Sequence, residues 1–353
     1  MGKYLNGYQP SDPVPKGWNT WDVAGNGYPE FDYTLNENGT QHRYGKTPQD
    51  YLTDVLSGKA ASFIDGAAAS GKPFLLEVAT FAPHKPATPA PRDANSFPGI
   101  VAPRAAAFDK APTDAPRWLA AIPPLAEKDQ QQIDEQFRLR VQSLQAVDAL
   151  IGNLQDRLRA TGVAKDTYVV FSSDNGYHMG EYRLRPGKQT AFDTDIKVPL
   201  VVTGPGVPAG RQEAAMTSSI DLAPTFETLA GAGVPATTDG ASMVPLWQGR
   251  PPPGDWRQAV LIEHHGPDAT ADDPDKPPPM SGNPPSYEAV RTANALYVEY
   301  ADGEREYYDT RADPDQLANR ASSAPHRCWR PCSTRSARYR PAMARPTARG
   351  RPS

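Results

Sequence analysis

Cysteine is almost missing from this chain. Its 353 residues hold two, Cys328 and Cys332, both close to the C-terminus. A disulfide framework is therefore excluded for the body, and a cysteine-free body suits any redox compartment. Long apolar runs are missing too. None approaches the roughly 18 residues that a membrane-spanning helix needs, so no membrane partner is expected. No signal peptide is legible, because Met1 opens directly onto Gly2-Lys3-Tyr4-Leu5-Asn6-Gly7-Tyr8. Acidic residues vanish from 327–353, a stretch with eight Arg and no Asp or Glu. Since the whole chain has a formal net charge of −4, the rest is left at −12. An acidic body argues against a nucleic-acid partner.

Proline is what the chain has in excess. There are 39, clustered at 83–91, 251–253 and 274–285, which suits long rim loops between strands. The length allows one large or two modest domains with a substantial core. The most telling segment is 171–199. A β-branched and aromatic run, Thr167-Tyr168-Val169-Val170-Phe171, stops at Ser172-Ser173-Asp174-Asn175-Gly176. That spacing reads as a buried strand ending in a tight turn, with a carboxylate and a carboxamide at its carboxyl end. In α/β sheets ligands bind at that edge. Asp174 and Asn175 are hard oxygen donors that suit Ca²⁺ or Mg²⁺ better than a softer metal. Lys188, in Pro186-Gly187-Lys188-Gln189, is a candidate anion ligand returned by the loop. Taken alone, Asp174-Asn175-Gly176 is also simply a polar turn.

Along the chain, 1–48 reads as loop and small strands. Apolar positions Leu52, Val55, Leu56, Phe63 and Ile64 predict a helix over 51–69, and Phe74 to Val78 predict a buried parallel strand. Phe137, Val141, Leu144, Val147, Ile151, Leu154 and Leu158 recur at three- and four-residue steps, a helix stopped by Gly162. Asp148 falls beside that stripe as a structural hydrogen-bonder. Leu200 to Thr203 is another strand, and a helix over 221–230 has Ser218 and Ser219 as possible caps. Strand–helix–strand alternation implies a mainly parallel central sheet flanked by helices, an α/β fold. After 259 the pattern alternates, with Asp302-Gly303 as a hairpin signal, which predicts a small antiparallel sheet. Beyond about Asn319 it collapses into a basic stretch that reads as a disordered tail.

Four blocks in order carry a resemblance: Gly2 to Tyr8, Pro73 to Arg92, the Phe171 to Pro199 segment, and Ile196 to Gly206. Together they resemble the sulfatase family of the alkaline phosphatase superfamily, the first block being similar to N-acetylglucosamine-6-sulfatase-like members. The resemblance implies an alkaline-phosphatase-like fold, with 1–250 a partial catalytic domain, 251–320 a C-terminal antiparallel subdomain and 321–353 a tail. It implies that Asp174 and Asn175 hold calcium, with magnesium as the substitute. Lys188, Lys3 and His84 would donate to the sulfate oxygens. His178 would contact sulfate or the leaving group, or else orient its loop, and His264 and His265 would line the mouth. Outside these blocks, His84 would read as an exposed loop histidine and Lys3 as a surface lysine.

The implied substrate is a sulfate ester, of a small molecule or saccharide such as glucosamine 6-sulfate. The family is usually secreted, periplasmic or lysosomal; the location of this chain stays open. Its nucleophile is a formylglycine made in a Cys-x-Pro-x-Arg-type motif by a formylglycine-generating enzyme. That motif and an Asp-Asp pair lie upstream of the lysine segment in the family, and neither precedes Lys3 here. Cys332-Ser333-Thr334-Arg335 lacks the proline and sits at the wrong end. The expectation is a sulfatase lacking its N-terminal part and inactive by itself. Two other readings compete: a phosphodiesterase or phosphonate hydrolase of the same superfamily, and a non-enzymatic remnant. One Asp-Asn pair with Lys188, rather than a second histidine-rich metal cluster, favours the sulfatase.

Overall fold

The structure, a computed structural model, describes residues 1–254, 256–267 and 276–323. The basic tail over 324–353, with both cysteines, lies outside the described residues, and so does the expectation placed on it.

The N-terminal layer is a three-stranded antiparallel sheet of β1 (Asp22–Ala24), β2 (Thr34–Glu37) and β3 (Thr40–Arg43). It shares a core with helix α1 (Leu52–Ser70), whose Leu52, Leu56, Ala60 and Ile64 are buried at four-residue steps on one face. Gly71 closes α1 at φ +64°, a left-handed position that glycine adopts without steric cost. After the short α2 (Arg117–Ala120) comes α3 (Glu127–Ala160), longer than its apolar stripe predicts. The extra turns come from its start, where Asp129 accepts from the Ala126 N–H at 3.2 Å. Along its length α3 serves two clusters: Leu150 packs with Leu52, Leu56 and Phe81, and Ile133 packs with Phe108, Leu125 and Met179. One helix thus joins the N-terminal layer to the loop that carries Met179.

Strands β4 (Val169–Ser172) and β5 (Leu200–Thr203) pair antiparallel, with the short α4 (Asp193–Ile196) in the connection between them. Tyr168, Val170, Leu200 and Val202 pack on a cluster with α5 (Leu222–Leu229) and α6 (Val244–Trp247), while Phe171 and Val201 face each other on the exposed side. A meander of β6 (Ala259–His264), β7 (Tyr287–Thr292), β8 (Ala295–Tyr300) and β9 (Arg305–Asp309) completes the fold, with β6 at one edge. Its core face, including Leu296, Val298, Tyr300 and Tyr308, packs on Tyr182, Leu184 and Phe192. The C-terminal sheet therefore holds the loop between β4 and α4 directly.

The mixed helix-and-strand architecture is as expected, but the parallel sheet is not. Every ladder among the described residues is antiparallel, and parallel geometry is limited to single bridges such as Gly2–Ala79 and Gly2–Val23. Residues 73–78 form no strand, although residues 1–3 lie parallel beside the end of the run: the Met1 ammonium donates to Glu77 O (2.8 Å), Ala79 N–H to Met1 O (3.0 Å) and Lys3 N–H to Ala79 O (2.7 Å), while Leu75 is exposed. An apolar run becomes a strand only where a neighbour supplies a ladder. No helix among the described residues is long and apolar enough to cross a membrane.

Candidate active site

The turn after β4 places Asp174 and Asn175 where the strand ends. Asp174 Oδ1 accepts from the Asn175 N–H at 2.9 Å, and Asn175 donates its Nδ2 to Gly176 O at 2.7 Å. Asn175 Oδ1 is left to accept from Lys188 Nζ at 3.2 Å. The residues predicted as metal-side and sulfate-side ligands thus meet. All three line a cavity of ≈ 420 Å³ that β6 residues, including Glu263 and His264, also line. A larger cavity of ≈ 690 Å³ lies by Met1 and α1, but its Lys59 is already held by Asp22 (3.2 Å) and Glu37 (2.8 Å).

His178 does not face the cavity. It is fully buried, with Nδ1 at 2.9 and 3.0 Å from the two Asp195 carboxylate oxygens and Nε2 at 3.0 Å from Ser281 O. Both nitrogens face acceptors, so the ring needs both protons. Burial pushes its pKa down, but Asp195 outweighs that and raises it above the ordinary value. No ring nitrogen is left for a substrate. The geometry supports the loop-orienting alternative: His178 and Gly187 exchange backbone bonds at 2.9 and 3.1 Å, fixing the segment that presents Lys188. A Cβ at Gly187 would lie 2.3 Å from Ser281 O, so only glycine fits that crossing.

Asp195 was not singled out by the sequence, yet it holds the site together. Its Oδ2 accepts from Thr190 N–H (2.9 Å) and Oγ1 (2.7 Å), and its backbone O accepts from Gly176 N–H at 2.8 Å. Nothing in the spacing marks it, because an acidic residue in a four-residue helix carries no periodic pattern. Gln189, next to Lys188, is held at φ +84°, a conformation non-glycine residues avoid, and its O accepts from Tyr287 OH at 3.0 Å.

Lys3 and His84 form a second group, joined by Tyr28. Lys3 Nζ is 5.2 Å from the Tyr28 ring centroid, and the His84 ring is 4.6 Å from it. Arg140 of α3 ties the two groups: it donates to Pro83 O at 2.8 Å, beside His84, and stacks 4.2 Å over Tyr177 on the Asp174 loop. The sequence did carry a signal for Arg140. It falls three residues after Phe137 and four before Leu144, a charge in register with the apolar stripe. His265 does not appear among the cavity's lining residues; His264 does.

A metal fits this donor set in kind but not in number. Asp174 and Asn175 offer hard oxygens, yet calcium takes about six to eight. No group of three or more His, Cys, Asp or Glu able to hold a metal occurs among the described residues. Asn175 Oδ1 is also engaged by an ammonium group. The serine form of the family's nucleophile motif does occur at the far end, in Ser323-Ala324-Pro325-His326-Arg327, of which 324–327 lie outside the described residues.

Two family models match this chain: Sulfatase over residues 1–232, and N-sulphoglucosamine sulphohydrolase, C-terminal, over 180–327. Human N-acetylglucosamine-6-sulfatase is 37% identical over 350 residues, covering 91% of this chain and 63% of its own length. An arylsulfatase of Volvox carteri is 31% identical, covering 90% and 56%. The chain spans about three fifths of the length of the curated relatives it matches. Among solved structures, one in complex with its substrate D-glucosamine-2-N,6-O-disulfate superposes with a TM-score of 0.73. It covers 96% of this chain and 77% of that one, at 20% identity, which shows the fold alone. A phosphonate monoester hydrolase of Agrobacterium radiobacter gives 0.64 at 25% identity, covering 83% and 61%.

Proposed function

The chain belongs to the sulfatase family, and we propose that its cavity binds the sulfate group of a saccharide sulfate ester for sulfuric ester hydrolysis. The observation that carries this reading is the meeting of Lys188, Asn175 and Asp174 on one cavity wall. A sulfate monoester gains charge on its oxygens as the leaving alcohol departs, so preorganised cationic donors stabilise the transition state. Lys188 is the donor nearest the Asp174 turn, and Lys3 and His84 are the donors across Tyr28. A metal ion and a formylglycine are what the family implies. Asp174 and Asn175 are the residues we assign to the metal side, calcium being the hard cation they suit. When bound, that ion would polarise sulfate oxygens. The saccharide assignment draws on the N-acetylglucosamine-6-sulfatase relatives and on the sulfated glucosamine bound by the structural neighbour.

Calorimetric titration of the full chain with sodium sulfate and with glucose 6-sulfate tests the reading. Lys188→Ala should weaken both by at least about tenfold, the size of one charge-assisted hydrogen bond. Equal affinity in the variant would sink it. By itself the chain should not turn over 4-nitrophenyl sulfate at saturating calcium. Turnover abolished by Asp174→Ala but not by Ser323→Ala would show that a different nucleophile operates.

A further inference from the structure

One stretch of the cavity's lining has no part yet in the chemistry. It is made by β6, and all five residues from Val260 to His264 line the space. Consecutive strand residues point to alternate faces, so a cavity touching all five runs along the strand's edge rather than over one face. β6 is the edge strand of its sheet. Such an edge offers backbone donors and acceptors in a row, a surface suited to a ligand with many hydroxyls and poorly suited to a flat aromatic ring. Ser218 and Ser219 add hydroxyls to the same lining.

Glu263 is the feature of this wall that needs explaining. A carboxylate facing an anion-binding cavity repels the ligand. Its register makes matters worse: Glu263 lies opposite Glu288, which lies opposite Glu299. Like charges directly opposite destabilise a sheet. Glu299 is relieved by Arg305 at 3.2 Å, whereas Glu263 is exposed and has no ion pair among the described residues. A charge kept against both local pairing and ligand charge is expected at a functional position.

We propose that Glu263, with the open edge of β6, is the specificity-determining wall of the site. Its carboxylate accepts hydrogen bonds from hydroxyls of the leaving alcohol and so selects a sugar over a phenol. This rests on the sulfate-ester reading above. Lys188 holds the sulfate, and Glu263, in the lining of the same cavity, reads the ring. Two carboxylate oxygens accept a pair of neighbouring hydroxyls in one plane, an arrangement that a phenyl ring cannot supply.

The test compares three probes on the full chain by calorimetry: glucose 6-sulfate, 4-nitrophenyl sulfate and sodium sulfate. Wild type should prefer glucose 6-sulfate to 4-nitrophenyl sulfate. Glu263→Ala and the isosteric Glu263→Gln should each lower that preference, Ala by about tenfold. Affinity for sodium sulfate should hold or rise in both variants, because a repelling charge is gone. Since Glu263 is exposed, neither variant threatens folding, and unchanged melting temperatures should confirm it. If both variants tighten all three probes equally, Glu263 only repels anions and the specificity role is wrong, while the sulfate reading stands. If wild type binds none of the probes, the sulfate reading fails and takes this inference with it.

Discussion

A guanidinium half-buried without a carboxylate costs free energy, and among the described residues Arg140 has no carboxylate partner. Burial pushes its pKa below the ordinary value, opposed only by the Tyr177 phenol. What it gains is the Pro83 carbonyl and the face of Tyr177, two contacts on two different site loops. Cation–π stacking of a desolvated arginine is worth about 2 kcal/mol. Replacing it by methionine, which fills the space without charge, should leave the melting temperature within a few degrees. The same change should weaken sulfate by about five- to tenfold, as the Lys3–His84 group loses its tie to the Lys188 group and the site loses a positive charge. Arg140→Lys should recover part of that affinity. If the methionine variant binds sulfate like wild type, Arg140 is a packing residue and nothing more.

At the scale of elements, the decisive unit is the connection from β4 through α4 to β5. Its turn, its lysine loop and its short helix are locked by one buried pair, His178 and Asp195. Removing one partner of a buried pair leaves an uncompensated charge and costs about 3–5 kcal/mol. Asp195→Ala should therefore destabilise strongly, and the Thr190 amide, which bonds Asp195, should lose hydrogen-exchange protection before the β7–β8 ladder does. Uniform loss of protection across both regions would show that the lock is not a separate unit. Asp195→Asn keeps an acceptor for Thr190 and should be milder.

At the scale of the whole molecule, two buried acids among the described residues make no ion pair. Glu306 is buried and accepts from Tyr300 OH (2.9 Å) and Tyr308 OH (3.0 Å); Glu30 is buried and accepts from Thr53 N–H (2.9 Å) and Oγ1 (2.8 Å) at the head of α1. Burial raises both to about 7 from an ordinary 4.5, against the hydrogen bonds that pull them down. Between those values the folded chain binds more protons than the unfolded one, so stability falls as pH rises through that window. For fully buried Glu306 the loss amounts to about 3 kcal/mol. Chemical denaturation at pH 5 and pH 8 should show the protein more stable at pH 5. Glu306→Gln should flatten the difference by removing one of the two titrations. A protein equally stable at both values would mean that other groups compensate.

The sequence by itself determined the elements with a strong local period, and it drew attention to the turn and the lysine that are proposed here for the metal and the anion. The α1 and α3 stripes, β4, β5 and the Asp302-Gly303 hairpin all follow from residues close in the chain, and all lie where the pattern put them. Asp174, Asn175 and Lys188 were legible because a strand, a turn and a loop of fixed length bring them together. Tertiary structure alone decided sheet direction, because a ladder depends on which neighbour is present; the run at 73–78, which residues 1–3 meet only at its end, forms no strand. It also decided which groups face the cavity. His178 has the same loop address as a ligand, yet it points into the core, since Asp195 and Ser281 reach it from 17 and 103 residues away. Contacts over such separations leave no local pattern, so the roles of Asp195, Tyr28 and Glu263 become visible only once the chain has folded back on itself.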